Sequence, residues 1–390
     1  MALSIVRNDI TRMAVDAIVN STNEHLLVGG SGVDASIHYA AGPELADALR
    51  EIGHCPTGSC VITDSYGLST CRYIIHAVGP VWDSQDTAHR SEAYHQLQNC
   101  YRAIFAAARE HGCRSVAMPL ISAGANGFAK EIVYQTATSI ARDFLLSLRE
   151  DEEDMMVYIV LFGSESVGIS RRVNDAVQHY ISDTYPDTHR EELDAFYSSN
   201  DTIGSVPSVA PVPQAAQAPS EKSRRFFSIP HRQKNRANKA RREEPTAMTM
   251  AETAGFQAYM ADPTPPEDYR SQDRSFPEMC EWWCQQKGLS KHDFYTYSNI
   301  TKATFWSMKN NPGQVPKKTN VLACAIGLRL DLDQTKDLLM RAGLALSPYY
   351  PLDMIVEYYI TNHRYDIYEI NAVLFDEDLA LLGTVAREKL

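Results

Sequence analysis

The chain has 390 residues, 44% hydrophobic and 22% charged, with a formal net charge of −12. That length exceeds one ordinary core, so two domains are expected, and the apolar fraction is enough for a sizeable globular interior. No run approaches the roughly 18 apolar residues of a membrane span, the start Met1–Arg7 has neither basic leader nor cleavage region, and the eight cysteines lack disulfide-scaffold spacing; the expectation is a cytoplasmic protein with no membrane partner.

The first expected strand, Ala17–Asn20, runs into Ser21-Thr22-Asn23, and Gly29-Gly30-Ser31-Gly32-Val33-Asp34 then opens a helix with an aspartate in its first turn. Asparagine amides suit sugar hydroxyls. Glycines let backbone N–H groups close on a phosphate, and a helix N-terminus adds partial positive charge. Together they imply a nucleotide diphosphate joined to a second sugar. Further strands are expected at Cys60–Thr63, Tyr73–Val78, Ser115–Leu120 and Met156–Phe162, rich in Val, Ile and Tyr. Helices are expected at Ala93–His111, with Leu97, Tyr101, Ile104, Phe105 and Ala108 on one face, and at Lys130–Arg149, with Val133, Ala137, Ile140, Ala141, Phe144, Leu145 and Leu148. Strands alternating with helices imply a layered α/β fold whose ligands bind at the carboxyl ends of the strands. Asn20–Asn23 and Ser122–Gly127 both fall there.

Over 186–248 the pattern dissolves. Residues 205–220 are mostly Pro, Ala, Ser and Gln, and Lys222–Arg242 holds nine of the 37 Lys and Arg with no acid. A disordered linker is expected. Its basic run has two readings, a solvated spacer or a contact for nucleic acid or an acidic surface. The rest of the chain is more acidic than the total shows, which argues against polyanion binding by the folded parts.

Residues 274–383 read as all-helical: Phe276–Lys287, Lys291–Tyr297, Lys302–Met308, Thr319–Leu328, Leu332–Ala342, Leu352–Asn362 and Ile367–Phe375. Gly288, Gly327 and Gly343 stand where helices should stop, and Asp331 and Asp333 where the next should start. Cys280 and Cys284 lie one turn apart beside Trp282 and Trp283 without a Cys or His pair to complete a zinc set, so they are expected as core thiols and no metal site is expected.

Taken in order, the N-terminal segments resemble the macrodomain family, specifically its ADP-ribosyl-hydrolase branch. The matching pieces are Asn8-Asp9-Ile10-Thr11, Ile18–Asn23, Gly32-Val33-Asp34 through Ile37–Pro43, Cys55–Gly58, Tyr73–Trp82 and Pro119–Gly124. The resemblance covers residues 1–185. It implies a three-layer α/β/α sandwich with a mixed sheet that binds ADP-ribose and ADP-ribosylated proteins without metal or other cofactor. The linker and an all-helical domain over 249–390 would follow it.

By the same resemblance Asp9 accepts a hydrogen bond from the adenine amino group, the Ile10 N–H meets a ring nitrogen, and Phe162 stacks on the adenine or joins the core. The phosphates lie between the Gly30, Gly32, Val33 loop and the loop of Ser122, Ala123, Gly124, Ala125, Asn126, Gly127 and Phe128. Asn20 holds ligand or shapes its loop through backbone hydrogen bonds. Asn23 holds the distal ribose. Asp34 orients the attacking water or caps its own helix, and His38, one turn on, tunes Asp34 or is a satisfied buried histidine. Asn23 and Asp34 are thus the expected catalytic pair. Three positions depart from the family pattern: Asn126 replaces an aromatic, with Phe128 two residues beyond; Ala129 replaces a proline; and Val28 lengthens the first loop. Binding is expected to survive these changes, and rate or leaving-group choice is where they act. The functions implied are a mono-ADP-ribosyl-protein hydrolase or O-acetyl-ADP-ribose deacetylase, with a non-catalytic reader or an ADP-ribose-responsive regulator as alternatives.

Residues Gly288–Ser307 resemble a phage-repressor-type helix-turn-helix, with Lys302–Met308 in the recognition position and Lys302, Trp306, Lys309, Asn310 and Asn311 as exposed candidates. Residues 246–390 carry 19 acidic against 14 basic residues, a poor footprint for DNA. A protein- or RNA-contacting role is expected for this part.

Overall fold

The computed structural model describes residues 2–83, 87–148, 155–162, 167, 175–177, 179–180, 269–311 and 313–383. The expected linker with its basic run lies outside the described residues. Six strands form one sheet in the order β1-β6-β5-β2-β4-β3. They are β1 Ala2–Arg7, β2 Ala17–Thr22, β3 Cys60–Asp64, β4 Tyr73–Val78, β5 Ser115–Met118 and β6 Met156–Leu161. Neighbours are parallel except β3, which runs antiparallel to β4, so the sheet is mixed.

Alternate residues of a strand point to opposite faces. Ile18, Ile74, Ala117 and Val160 pack in one cluster with Ile37 and Ala41 of α1 (Gly32–Ala41) and Leu45 and Leu49 of α2 (Pro43–Ile52). Val19, Ile75, Val116 and Ile159, on the other face, are fully buried as well. That side carries α3 (Thr87–Glu110) and α4 (Lys130–Ser147), which pack on each other. Burial on both faces explains why these strands read as nearly continuous apolar runs.

Seven helices follow among the described residues: α5 Phe276–Gln286, α6 Lys291–Tyr297, α7 Lys302–Asn310, α8 Lys318–Gly327, α9 Leu332–Arg341, α10 Pro351–Thr361 and α11 Ile367–Asp376. Capping boxes at Ser275 with Glu278, Ser290 with Asp293 and Asp331 with Gln334 start α5, α6 and α9. Asp331 is the N-cap of α9, and Asp333 lies in its first turn and pairs with Arg270 at 3.1 Å. Gly327 is the last residue of α8, where the sequence places a stop. Leu328 is the C-cap, and a Cβ at Gly327 would sit 2.1 Å from Ser298 Oγ, so the glycine is there to let α8 approach the α6–α7 turn.

Residues 1–189 and 268–390 group into one compact unit. The join is made at β1, an edge strand that the sequence reading omits. Asn299, 1% exposed in the α6–α7 turn with φ 50°, presents its side-chain amide to the Leu3 peptide. The Leu3 N–H donates to Oδ1 at 2.8 Å and Nδ2 donates to the Leu3 carbonyl at 2.9 Å. At Leu3 one side chain thus makes the two hydrogen bonds that a neighbouring strand would supply. Arg7, at the other end of β1, donates to Asp378 at 2.8 Å and lies 3.9 Å over the Phe375 ring. Tyr134 of α4 donates to the Tyr368 carbonyl at 2.8 Å, and His292 Nε2 donates to the Leu145 carbonyl at 2.9 Å. In α7, Trp306 is exposed and Lys309 is paired with Glu281 at 2.7 Å.

Candidate functional site

The carboxyl ends of β1, β6, β5 and β2 share one rim of the sheet, and most of the expected site residues lie there. Beyond β1, Asp9 is half-buried. Its Oδ1 accepts from the Thr11 N–H at 2.9 Å and the Thr11 hydroxyl at 2.7 Å, capping the short turn Ile10–Arg12, and Ile10 is buried. Phe162, beyond β6, is 70% exposed, so it is not a core residue.

Beyond β2 the chain makes a long loop. Asn23 closes it: Oδ1 accepts from the His25 and Leu27 N–H groups, and Nδ2 donates to the Leu27 carbonyl at 2.6 Å. Glu24 anchors the same loop to Thr57, whose N–H and hydroxyl hold its carboxyl below the usual range. The loop ends in exposed Gly30 and Ser31, and Gly32, at φ +76°, starts α1; Val33 packs on the α1–α2 core cluster.

Asp34 is the third residue of α1, and Ser31 holds the cap position, so Asp34 does not cap its helix. It is 6% exposed. Its Oδ1 accepts from Asn20 Nδ2 at 2.6 Å and its Oδ2 from the Gly29 N–H at 2.5 Å. A carboxylate in the first turn also lies where the aligned peptide dipoles favour negative charge. His38 Nε2 stands 3.7 Å from Asp34 Oδ1 and has no hydrogen-bond partner among the described residues, so it is not a satisfied core histidine.

Asn20 is fully buried in the middle of the sheet, and its side chain bonds other side chains rather than the backbone. Besides Asp34, its Nδ2 meets His76 Nδ1 at 3.2 Å, and His76 Nε2 meets Thr63 Oγ1 at 3.0 Å. An amide nitrogen only donates, so Nδ1 accepts and the proton of His76 sits on Nε2. The Thr63 hydroxyl in turn donates to the Asp64 carbonyl at 3.0 Å. Burial, helped by nearby His38, pushes the His76 pKa down to about 3.

The second loop follows β5. Ser122, buried at φ 66°, takes the Phe128 N–H on its carbonyl, and Gly127 donates to Gly124. Ala123 donates to Leu120, while Gly124 and Ala125 stay exposed. Among the described residues the N–H groups of Gly30, Ser31, Gly124 and Ala125 meet no backbone acceptor outside regular structure. The segment after β4 locks onto this loop. Asn126 Nδ2 donates to the Gly79 carbonyl at 3.1 Å, and Trp82 N–H donates to the Asn126 carbonyl at 2.7 Å. A Cβ at Gly79 would lie 2.2 Å from Ser122 Oγ, so only glycine allows this approach. Phe128 is buried against Trp82, ring centroids 4.8 Å apart, so it does not offer its face at the rim.

His76, Thr63, Gly79 and Trp82 are not among the site residues expected from the sequence. The signal for His76 was a histidine inside the apolar run Tyr73–Val78; Thr63 is tied to it only by strand pairing. Among the described residues no group of three or more His, Cys, Asp or Glu is placed to hold a metal ion, and no helix is long and apolar enough to cross a membrane.

The Macro domain family profile matches residues 19–137. A macro domain-containing protein of Methanosarcina mazei is 40% identical over 164 residues, 42% of this chain and 83% of its own length. An O-acetyl-ADP-ribose deacetylase of Escherichia fergusonii is 37% identical over 44% of this chain and 94% of its own. The mouse ADP-ribose glycohydrolase MACROD1 is 39% identical over 46% of this chain and 52% of its own. By these matches and by its fold, this chain belongs to the macro domain family.

Proposed function

We propose that the rim of the sheet binds ADP-ribose and that the chain hydrolyses mono-ADP-ribose esters of protein carboxylates, O-acetyl-ADP-ribose, or both. The names of its deacetylase and glycohydrolase relatives support this reading. So does the span of the site. From β1 to β2 across β6 and β5 there are three strand spacings, about 14 Å, a length suited to an adenosine at Asp9 and Phe162 and a second ribose at Asn23 and Asp34. The diphosphate would take the N–H groups of the two glycine loops.

The observation that carries the catalytic reading is the Asp34 carboxylate, buried in the first turn of α1 and held at both oxygens by Asn20 and Gly29. Each oxygen keeps a lone pair for a water proton. Water attacks the anomeric carbon of the distal ribose. The bond from that carbon to the carboxylate oxygen breaks, and the leaving carboxylate takes the electron pair, so little acid assistance is required. The water proton passes to Asp34 or to the ligand's own phosphate. The protein's part is to position water and ligand and to favour the charge that develops.

A second reading, a pocket that binds but turns over poorly, is favoured by Asn126. Its side chain is tied to Gly79 and offers the distal ribose no aromatic face. The test is release of free ADP-ribose from a glutamate-linked mono-ADP-ribosylated protein. Release by the native chain, with Asp34→Ala at least about 100-fold slower and ADP-ribose still bound, supports the hydrolase. Micromolar binding with no release by the native chain leaves the reader.

A further inference from the structure

His76 is fully buried in the β2–β4 pairing of the sheet, on the face that α1 and α2 cover with Ile18, Ile74, Ile37 and Leu45. A polar side chain in such a layer costs stability relative to an apolar one of the same shape unless its hydrogen bonds are made. Both of its ring nitrogens are engaged, and the line Thr63–His76–Asn20–Asp34 ends on the carboxylate of the candidate site. The direction of each bond is set. Thr63 spends its proton on the Asp64 carbonyl, so it accepts from His76 Nε2, which leaves Nδ1 as an acceptor. Both Nδ2 hydrogens of Asn20 are then used, one on Nδ1 and one on Asp34 Oδ1. Were the Asn20 amide turned over, its oxygen would face the carboxylate oxygen and the imidazole lone pair, two repulsive contacts. Asn20 Oδ1, buried and without a partner among the described residues, gives no other reason for the amide to stand as it does.

We propose that His76 is a positioning residue: a neutral imidazole, protonated on Nε2, that orients the Asn20 amide and through it fixes the Asp34 carboxylate for the water attack. The proposal rests on the hydrolase reading for its kinetic consequence and on the hydrogen-bond directions for its geometry. A charged ring would place an Nδ1 proton against the amide hydrogens. The low pKa given by burial keeps the ring neutral wherever the protein is folded and active.

Two variants of the full chain separate positioning from packing. His76→Phe keeps a flat aromatic ring, somewhat larger than imidazole, and removes the acceptor. His76→Asn puts an amide oxygen close to the place of Nδ1 but leaves a cavity. The expected result is a crossed order. The Phe variant melts at the higher temperature of the two, binds ADP-ribose within about threefold of native, and releases ADP-ribose about 10- to 100-fold more slowly. The Asn variant melts lower yet keeps a rate within about fivefold of native. Rates that follow the melting temperatures, or a Phe variant with native turnover, would overturn the proposal. The nitrogen NMR spectrum of the native chain gives a readout independent of turnover: His76 should be the Nε2–H form from pH 5 to 8. An Nδ1–H form sinks the proposal whether or not the chain is a hydrolase. Absence of release by the native chain, with Nε2–H observed, sinks the hydrolase reading and the kinetic part together and leaves the amide orientation standing.

Discussion

Asp34 shows how one carboxylate is made specific by its neighbours. Two donors from different segments, the Asn20 amide in the sheet and the Gly29 N–H in the loop, pin its two oxygens, and His38 stands just out of hydrogen-bond reach. The residue types in this cluster were legible in the sequence, because the Asn20–Asn23 and Gly32–Asp34 segments resemble a known pattern. Their partners were not: a buried imidazole behind Asn20 depends on the pairing of β2 with β4, which spacing along the chain does not reveal. The same imidazole carries a pH prediction. Its folded pKa is about 3 against an ordinary 6.5, so the unfolded chain binds a proton that the folded chain refuses between those values. The stability it allows is complete above pH 6.5 and is lost as pH falls, by about 1.4 kcal/mol per unit. Denaturant midpoints of native and His76→Phe chains, measured from pH 7 to 4.5, should converge in that direction. Equal slopes would show that His76 ionises freely in the fold.

At the level of single elements, β1 is the informative case. Its residues Ala2–Arg7 alternate little and are almost all buried, and it is not among the strands expected from the sequence. Pairing with β6 in register Ala2↔Met156 makes it a strand, and on its outer side Asn299 holds the Leu3 peptide. Asparagine suits this place twice over, since it adopts φ 50° more readily than other side chains and its amide copies a peptide group. Asn299→Ala should therefore orphan a buried N–H and a buried C=O of Leu3 and cost about 2–5 kcal/mol. Urea unfolding of the full chain would read this directly. A loss under 1 kcal/mol would mean that solvent reaches the edge. The turn carrying Asn299 lies between α6 and α7, so this turn is used for packing on β1.

For the whole molecule, the helices after residue 268 are joined to the α/β part through β1, α4 and the Arg7–Asp378 pair. Much of this contact is buried, and an interface of that kind makes the parts cooperate in unfolding. Fluorescence of Trp282 and Trp283, both in α5, should therefore change in the same transition as loss of ADP-ribose binding. Two separate midpoints would show that the helical part is stable by itself. The sequence alone determined the alternation of strands and helices, the Asp331 start of α9, the glycine loops and the acidic first turn of α1, because these depend on near neighbours and on periodicity. Only the tertiary structure decided that β1 is a strand, that His76 stands behind Asn20, that Phe128 is buried while Phe162 is exposed, and that Asn299 holds the outer side of Leu3. Each of these is a contact between segments far apart in the chain, fixed by burial and hydrogen-bond satisfaction rather than by local preference.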